Sequence, residues 1–336
     1  KNTMKKCMGI NSETKRIFLR EILKRFSFLL KNIFKITALT ALLPSLAYAA
    51  DKPQIALLMK TLSNEYFISM RQGAEEAAKK QNIDLIVQVA EKEDSTEQLV
   101  GLVENMIAKK VDAIIVTPND SIAFIPAFQK AEKAGIPIID LDVRLDAKAA
   151  EAAGLKFNYV GVDNFNGGYL EAKSLANAIG GKGNVAILEG IPGVDNGEQR
   201  KGGALKAFGE YPDIKIVASQ SANWETEQAL NVTNILTANP NIKAIFAAND
   251  NMAIGAVTAV ENAGLAGKVL VSGYDGIPLA IEYVKQGKMQ NTIDQLPKKQ
   301  VAVAIEHALK QINKQPIPAV YYVDPVVVDK EQSKSY

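Results

Sequence analysis

The sequence contains very few residues of the types that form disulfides or bind transition metals. Its 336 residues include one cysteine, Cys7, and one histidine, His307. A single cysteine cannot form a disulfide within the chain, and one histidine leaves little material for a metal site. We therefore expect no metal and no other cofactor. A Ser-His-Asp triad is also disfavoured, because His307 falls on a predicted helix over residues 298–310, where a surface position is expected.

The remaining composition is that of a folded globular protein. Hydrophobic residues make up 47% and charged residues 23% of the chain, which excludes disordered, collagen-like and low-complexity classes. Single hydrophobic cores stop growing at about 250–300 residues. A chain of 336 residues therefore suits two lobes better than one core.

The basic excess of the chain is confined to residues 1–49. The whole sequence has a formal net charge of +2, but these residues contain ten lysines or arginines against two glutamates, which leaves −6 on the remainder. The segment ends in an apolar stretch over residues 36–43 and the sequence AYA at residues 47–49. This order is typical of a secretory signal peptide, here cut after Ala49, and the apolar stretch is shorter than the about 20 residues that span a bilayer. We expect an exported protein with no nucleic-acid partner.

From residue 54 onward, short aliphatic runs alternate with helical patterns, which is typical of βαβ units and parallel sheets. The strands are predicted at residues 54–59, 85–89, 113–116, 138–141, 185–188, 214–218, 244–247 and 269–272. The predicted helices include residues 67–81, residues 95–110 with Ser95 as a cap, and residues 122–134 ended by Gly135.

The second half of this pattern repeats the first. The run QIALLM at Gln54 matches NVAILE at Asn184, and VDAIIVTPND at Val111 matches IKAIFAAND at Ile242. A repeat of this length indicates a duplicated domain. Open α/β sheets place their ligand crevice at the carboxyl ends of the strands, so two such sheets facing each other predict a cleft lined by both.

Three residues at the exit of the first predicted strand suit a sugar-like ligand. The segment TLSNEYF places Asn64 beside the aromatic residues Tyr66 and Phe67. Aromatic rings offer flat apolar faces to C–H groups, and an amide both donates to and accepts from hydroxyl groups. The alternative, that Asn64 caps the next helix and Phe67 is a core residue, is equally consistent with the sequence.

Two acids and an arginine are placed where they would meet across the cleft. Asp142 ends the strand in IPIIDLD and Asp275 ends VLVSGYDG, while Arg200 lies where DNGEQRKGG leads into a helix. Singly, an Asp at a strand end is usually a turn former or a helix cap. As a pair the acids are also consistent with a glycosidase, but the neighbouring arginine and amides favour binding of an intact sugar.

Trp224, Asn249 and Gln295 complete this polar and aromatic set. Trp224 is the only tryptophan and lies in the polar loop SANWETE, which is typical of a binding-site wall, although a position at a domain seam stays open. Asn249 and Gln295 add amide groups in AAND and TIDQLP. We expect no catalytic residue and no metal ligand in this set.

The chain resembles the periplasmic sugar-binding proteins of ABC importers, of the ribose-binding type, whose core is shared with the lac-repressor family. The resemblance covers residues 52–328 and rests on TLSNEYFISMRQGA, GIPIIDLD, GVDNFNGG, AIFAANDNMAIGA, VSGYDG and TIDQLP. It implies an α/β fold of the periplasmic binding protein type 1, with two similar doubly wound parallel-sheet lobes joined by a three-strand hinge. The implied divisions are a signal peptide at 1–49, an N-terminal lobe at 50–162 plus 296–324, and a C-terminal lobe at 163–295 plus 325–336.

The resemblance also implies a function. Such a protein is a monomer and not an enzyme, captures a monosaccharide or polyol between its lobes, and delivers it to the membrane permease of an ABC importer. The residues implied to contact the sugar are Asn64, Tyr66, Phe67, Asp142, Arg200, Trp224, Asn249, Asp275 and Gln295.

One position departs from the ribose-binding pattern. Ribose binders carry an arginine directly after the acid of the LD motif, whereas Val143 follows Asp142 here and Arg144 comes one residue later. Adjacent strand residues face opposite ways, so Arg144 does not automatically replace it. Lys60 also stands where a small polar residue is common. Ribose is therefore less favoured than another pentose, a hexose, a pentitol or myo-inositol.

Two other functions stay open at this point. A sugar-responsive transcription regulator of the lac-repressor family would use the basic N-terminal segment to bind DNA, although the apolar stretch and the AYA sequence have no role there. A glycosidase would use Asp142 and Asp275 as its carboxyl pair.

Overall fold

The computed structural model describes residues 52–238 and 241–336, together with residues 13, 16–17 and 19–25 of the N-terminal segment. Residues 19–25 are helical, and Lys52–Tyr336 forms a separate compact unit. The apolar stretch at residues 36–43 and the predicted cleavage site after Ala49 lie outside the described residues. In the described part of the chain, no helix combines the length and apolar content needed to cross a bilayer.

The first lobe is built on a parallel sheet that contains, among the described residues, six strands in the order β2-β1-β3-β4-β5-β11. The strands are β1 Gln54–Met59, β2 Asp84–Val89, β3 Ala113–Val116, β4 Ile138–Leu141, β5 Asn158–Gly161 and β11 Val320–Tyr322. The helices of this lobe are α1 Glu65–Gln81, α2 Thr96–Lys109, α3 Ile125–Lys133, α4 Ala147–Ala152 and α10 Pro297–Ile312.

The second lobe is built on a parallel sheet whose described strands follow the order β7-β6-β8-β9. These strands are β6 Lys182–Glu189, β7 Asp213–Ser221, β8 Ile242–Ala247 and β9 Leu270–Ser272. The helices are α5 Asn164–Ala178, α6 Asp195–Gly209, α7 Thr226–Leu236, α8 Asp250–Asn262 and α9 Pro278–Lys285. Two short strands, β10 Thr292–Asp294 and β12 Val326–Val328, pair antiparallel beside this sheet.

Within residues 52–336 the chain passes between the lobes at three places. The first passage follows β5 and leads into α5, the second lies between β10 and α10, and the third joins β11 to β12. Three short connections of this kind are the geometry of a hinge, because a few residues can absorb a rotation of one lobe against the other.

Alternation along β1 explains why helices cover both faces of the first sheet. Every residue from Ile55 to Met59 is fully buried. Leu57 packs in the cluster that includes Phe67 of α1 and Val301 of α10. Leu58, which points to the other face, packs in the cluster that includes Leu99 of α2. The continuous apolar run therefore serves two cores at once, as expected for a parallel strand.

Helices α5 and α6 approach each other so closely that only glycine fits at their contact. A Cβ atom at Gly168 would lie 2.3 Å from the carbonyl oxygen of Arg200, and one at Gly203 would lie 2.1 Å from the carbonyl oxygen of Phe165. This contact fixes the position of the turn of α6 that carries Arg200.

The predicted alternation of strands and helices is confirmed. Several bounds differ by a few residues, and β6 and β7 are each longer than predicted. Three further details differ from the prediction. Ser95 stands at the N-cap position of α2, but in the described structure its side chain makes no capping hydrogen bond. Helix α3 starts at Ile125 rather than at Ile122, because Asp120 Oδ1 accepts the backbone N–H groups of Ile122 and Ala123, at 2.7 Å each, and holds a turn.

The third error concerns His307, which is buried rather than at the surface. Only 4% of the residue is exposed, and its ring packs edge-on against Tyr321 of β11 with 5.5 Å between the ring centroids. Residue 307 is buried because it lies on the face of α10 that packs against the first sheet.

Candidate functional site

The carboxyl ends of strands in both lobes surround one polar cavity. The cavity is lined, among the described residues, by Lys60, Asn64, Tyr66, Phe67, Glu93, Asp142, Asn196, Arg200, Trp224, Asn249, Asp275 and Gln295. All nine residues singled out from the sequence are brought together here, with three that were not.

Asn64, Tyr66 and Phe67 lie where β1 leads into α1. Asn64 is the N-cap of α1, and its Oδ1 accepts the backbone N–H of Tyr66 at 2.9 Å. The rings of Tyr66 and Phe67 meet edge to face, with 5.1 Å between their centroids. Asn64 therefore caps the helix and Phe67 packs in the core, as the alternative interpretation predicted, and both residues also line the cavity. The two interpretations of the sequence are compatible.

Asp142 is held in place by two tyrosines. The Tyr66 hydroxyl donates to Asp142 Oδ1 at 2.8 Å, and the Tyr159 hydroxyl donates to the carbonyl oxygen of Asp142 at 2.9 Å. Asp142 has a φ of 74°, a left-handed conformation that is uncommon outside glycine and clusters at functional sites. Its carboxylate is thus preorganised at the end of β4.

A lysine balances the charge of this acid from within the same lobe. Lys60 directly follows β1, is 4% exposed, and places its Nζ 3.8 Å from Asp142 Oδ2. Arg144, which the sequence left as an uncertain replacement for the missing arginine, is not among the described residues that line the cavity. Its guanidinium lies 5.9 Å from the centre of the Tyr159 ring. The cation of the first lobe is therefore Lys60.

Arg200 provides the cation of the second lobe. It projects from α6 with 2% exposure, and its Nε and Nη1 donate to Asn164 Oδ1 and to the carbonyl oxygen of Ala248, at 2.9 Å each. The guanidinium stacks 3.8 Å above the ring of Tyr274. These contacts fix the plane of the group while leaving other N–H donors for the cavity.

Asp275 faces this arginine. Its Oδ1 lies 3.7 Å from Arg200 Nη1 and accepts a hydrogen bond from Gln295 Nε2 at 2.7 Å. Burial raises the pKa of Asp275 well above its ordinary value, and the Arg200 guanidinium opposes that shift. Like Asp142, Asp275 has a positive φ, here 133°. Each lobe therefore presents one strained, hydrogen-bonded acid to the cavity.

Trp224 forms an apolar wall that is fixed from two sides. An added Cβ at Gly190 would lie 1.9 Å from the indole ring, so the ring lies directly against that backbone. Asn249 Nδ2 donates to the carbonyl oxygen of Trp224 at 3.3 Å, while Asn249 Oδ1 accepts the N–H of Met252 at 2.9 Å and caps α8. Asn249 thus orients the wall as well as lining the cavity.

Sequence reasoning missed Lys60, Glu93 and Asn196 as lining residues. A lysine immediately after the fully buried run of β1 was a usable signal, since it has to lie at the strand end. Glu93 lies in the charged segment EKED, which looks like solvated loop, yet it is only 7% exposed. Burial raises the pKa of Glu93, and the Lys60 ammonium opposes the shift. No group of metal-ligating side chains occurs within the described residues.

Comparison with known proteins decides the family. Residues 55–316 match the sequence profile of the periplasmic binding protein domain. The chain belongs to the periplasmic binding protein family. A D-ribose/D-allose-binding protein of Pseudomonas aeruginosa is 39% identical to it over 82% of this chain and 88% of the relative. A D-allose-binding periplasmic protein of Escherichia coli is 38% identical over 79% and 85% of the two chains.

A solved structure is more similar still to this periplasmic binding protein. It is a periplasmic solute-binding protein of an ABC transporter from Actinobacillus succinogenes 130z, with bound D-allose. It is 93% identical to this chain, covers 85% of this chain and 100% of its own length, and superposes with a TM-score of 0.82. The predicted type 1 fold with two parallel-sheet lobes is thereby confirmed.

These relatives settle the class of function for this periplasmic binding protein. It is a sugar-binding protein of the ABC-importer type, and its place is the periplasm. Its relatives are transport proteins rather than enzymes, so the glycosidase alternative is set aside. The transcription-regulator alternative is set aside for the same reason. An ABC permease is the implied partner.

Proposed function

We propose that this chain binds D-allose in the cavity between its lobes and presents it, in the closed form, to a membrane permease. The observation that carries the proposal is the 93% identity to a protein whose structure contains D-allose. In its pyranose form, D-allose has the configuration of ribose at carbons 2 to 4 and carries a hydroxymethyl group on carbon 5 that ribopyranose lacks. This choice fits the hexose option of the sequence analysis and its argument against ribose.

The chemistry of the cavity supports a neutral, polyhydroxylated ligand. In this proposal Phe67 and Trp224 stack on the C–H faces of the pyranose ring, and Asp142, Arg200 and Asp275 bind its hydroxyls. Hydrogen bonds to charged groups contribute about 1.5–3 kcal/mol each, so a few of them are enough for micromolar binding after ordering costs. We assign ligand contacts to the nine predicted residues and add Lys60, Glu93 and Asn196.

The direct test is titration calorimetry on protein recovered from the periplasm of cells that express the full chain. We expect D-allose to bind at least tenfold more tightly than D-ribose, xylitol and myo-inositol. A thermal-shift screen of the same sugars checks the order independently. Tighter binding of myo-inositol or of a pentitol would contradict the proposed ligand while leaving sugar binding intact.

Three further features complete the proposal. We place the lobe boundaries at residues 162–163, 295–296 and 324–325, and the change of sheet along the chain near these residues supports this division. The leader is removed after Ala49, which N-terminal sequencing of the exported protein would check. The working form is a monomer, as the resemblance implies. Light scattering at micromolar concentration with and without D-allose would check that mass.

A further inference from the structure

Helix α6, which carries Arg200, begins with a hydrogen bond to the opposite lobe. The first N–H groups of a helix have no partner within the helix and usually bond to the side chain of the N-cap residue. Here the N-cap is Val194, whose side chain cannot accept, and the described structure shows no side-chain capping bond from it. The N–H of Asp195, the first residue of α6, donates instead to Ser121 Oγ at 3.1 Å.

Ser121 belongs to the first lobe and is held rigidly. It lies between β3 and α3, is 5% exposed, and its carbonyl oxygen accepts the N–H of Asp146 at 2.8 Å. The preceding Asp120 fixes the turn through its two bonds to backbone N–H groups. The hydroxyl is therefore preorganised to meet α6 when the lobes are together.

We propose that Ser121 is a positioning residue for sugar binding, which caps α6 across the cleft in the closed form only. By holding the first turn of α6, it holds Asn196 and Arg200 of the same helix against the cavity. In an open form the lobes separate, and water replaces the hydroxyl. The bond then favours closure without touching the sugar. This inference rests on the proposed binding of a sugar between the lobes.

We expect this hydrogen bond to change the rate at which the sugar dissociates. A contact that forms only after the sugar has entered does not change the encounter, but it slows reopening. A neutral hydrogen bond of this kind contributes about 0.5–1.5 kcal/mol, which corresponds to a roughly two- to twelvefold change in affinity. Ser121→Ala should raise the dissociation rate and the Kd for D-allose by that factor, with an unchanged association rate.

Two variants remove the same bond from opposite sides. Ser121→Ala deletes the acceptor, while Ser121→Thr keeps a hydroxyl and should retain most of the affinity. Asp195→Pro deletes the donor, and proline is well tolerated at the first position of a helix. Val194 has φ −84° and ψ 125°, which a following proline allows. Asp195→Ala is its matched control, because it removes the carboxylate and keeps the N–H.

The test is stopped-flow and calorimetric measurement of D-allose binding, or of the sugar in the thermal-shift screen that the wild type does bind. We expect Ser121→Ala to have no further effect in the Asp195→Pro background, but its full effect in the Asp195→Ala background. The ligand-free melting temperature should stay near that of the wild type. Unchanged dissociation from Ser121→Ala, or additive effects of Ser121→Ala and Asp195→Pro, would overturn the inference. Failure of the wild type to bind D-allose would instead overturn the proposed ligand.

Discussion

Replacing Arg200 by alanine measures how much of the sugar affinity depends on one buried guanidinium. The residue is 2% exposed and has Asp275 Oδ1 3.7 Å from its Nη1, so the substitution removes both a donor to the sugar and the partner of an acid. One lost hydrogen bond from a charged group costs about 1.5–3 kcal/mol. We therefore expect Arg200→Ala to weaken D-allose binding by roughly ten- to a hundredfold or more.

The acid left behind gives this prediction a pH signature. Burial already raises the pKa of Asp275 and Arg200 opposes the shift, so without Arg200 the pKa rises further in the closed form. A group that holds its proton more tightly when the cleft is closed makes closure easier at low pH. The affinity of Arg200→Ala should therefore fall as the pH rises from 5 to 8, with proton uptake on binding. An added Asp275→Asn substitution should remove this dependence.

The assay is titration calorimetry in two buffers of different ionisation enthalpy, which counts protons as well as measuring affinity. Arg200 also donates to Asn164 and to the carbonyl oxygen of Ala248, so the ligand-free variant should be less stable, and circular dichroism must confirm that it is folded. Arg200→Lys is the control that keeps the positive charge and loses the planar arrangement of N–H donors of the guanidinium. An affinity of folded Arg200→Ala within twofold of the wild type would refute the role of this residue.

Three other predictions follow from single residues. Trp224, the only tryptophan, lines the cavity, so its fluorescence should change on addition of D-allose, and a silent signal at saturating sugar would contradict its place as a wall. Gly168→Ala should destabilise the protein and weaken sugar binding, because its Cβ would lie 2.3 Å from the carbonyl oxygen of Arg200. Gly101→Ala in α2 is the matched control, since outside the adjacent residues and the backbone of its own helix no described atom lies within 4 Å of its Cβ, and it should stabilise by about 0.5–1 kcal/mol. Burial raises the pKa of Asp250 to about 7, so its folded form keeps a proton that the unfolded chain loses, and the free energy of unfolding falls as the pH rises from 4 to 7. Asp250→Asn should make that fall shallower in urea titrations, and an unchanged slope would contradict the assignment.

Most of the fold could be predicted from periodicity because the strands are long apolar runs with clear turns between them. The bounds of β1, β3 and β4 agree with the predicted ones. The start of α3 could not be predicted in this way, because it depends on the hydrogen bonds that the Asp120 side chain accepts from two backbone N–H groups. The burial of His307 is a tertiary effect, since it requires the face of α10 that packs on the first sheet.

Some residues of the site could likewise be predicted from the sequence and others could not. Asp142, which directly follows a predicted strand, and Asp275, which comes three residues after one, could be found because topology gathers strand ends at one edge. Glu93 could not, because nothing in a charged loop distinguishes a buried carboxylate from a solvated one. Ser121 could not either, since its contact with α6 exists only when two lobes far apart in sequence are brought together. Side chains whose role depends on the other lobe leave no periodic signal.

The arrangement of charge in the cavity explains why a neutral ligand suits it. Each lobe pairs its own acid with its own cation, Lys60 with Asp142 at 3.8 Å and Arg200 with Asp275 at 3.7 Å. The two acids therefore come together across the cleft without unopposed repulsion. An anionic sugar would bring a buried charge for which no unpaired cation remains among the described lining residues, since Lys60 and Arg200 each already face an acid. Sugar phosphates and sugar acids should therefore be excluded, even where their hydroxyl groups match those of D-allose.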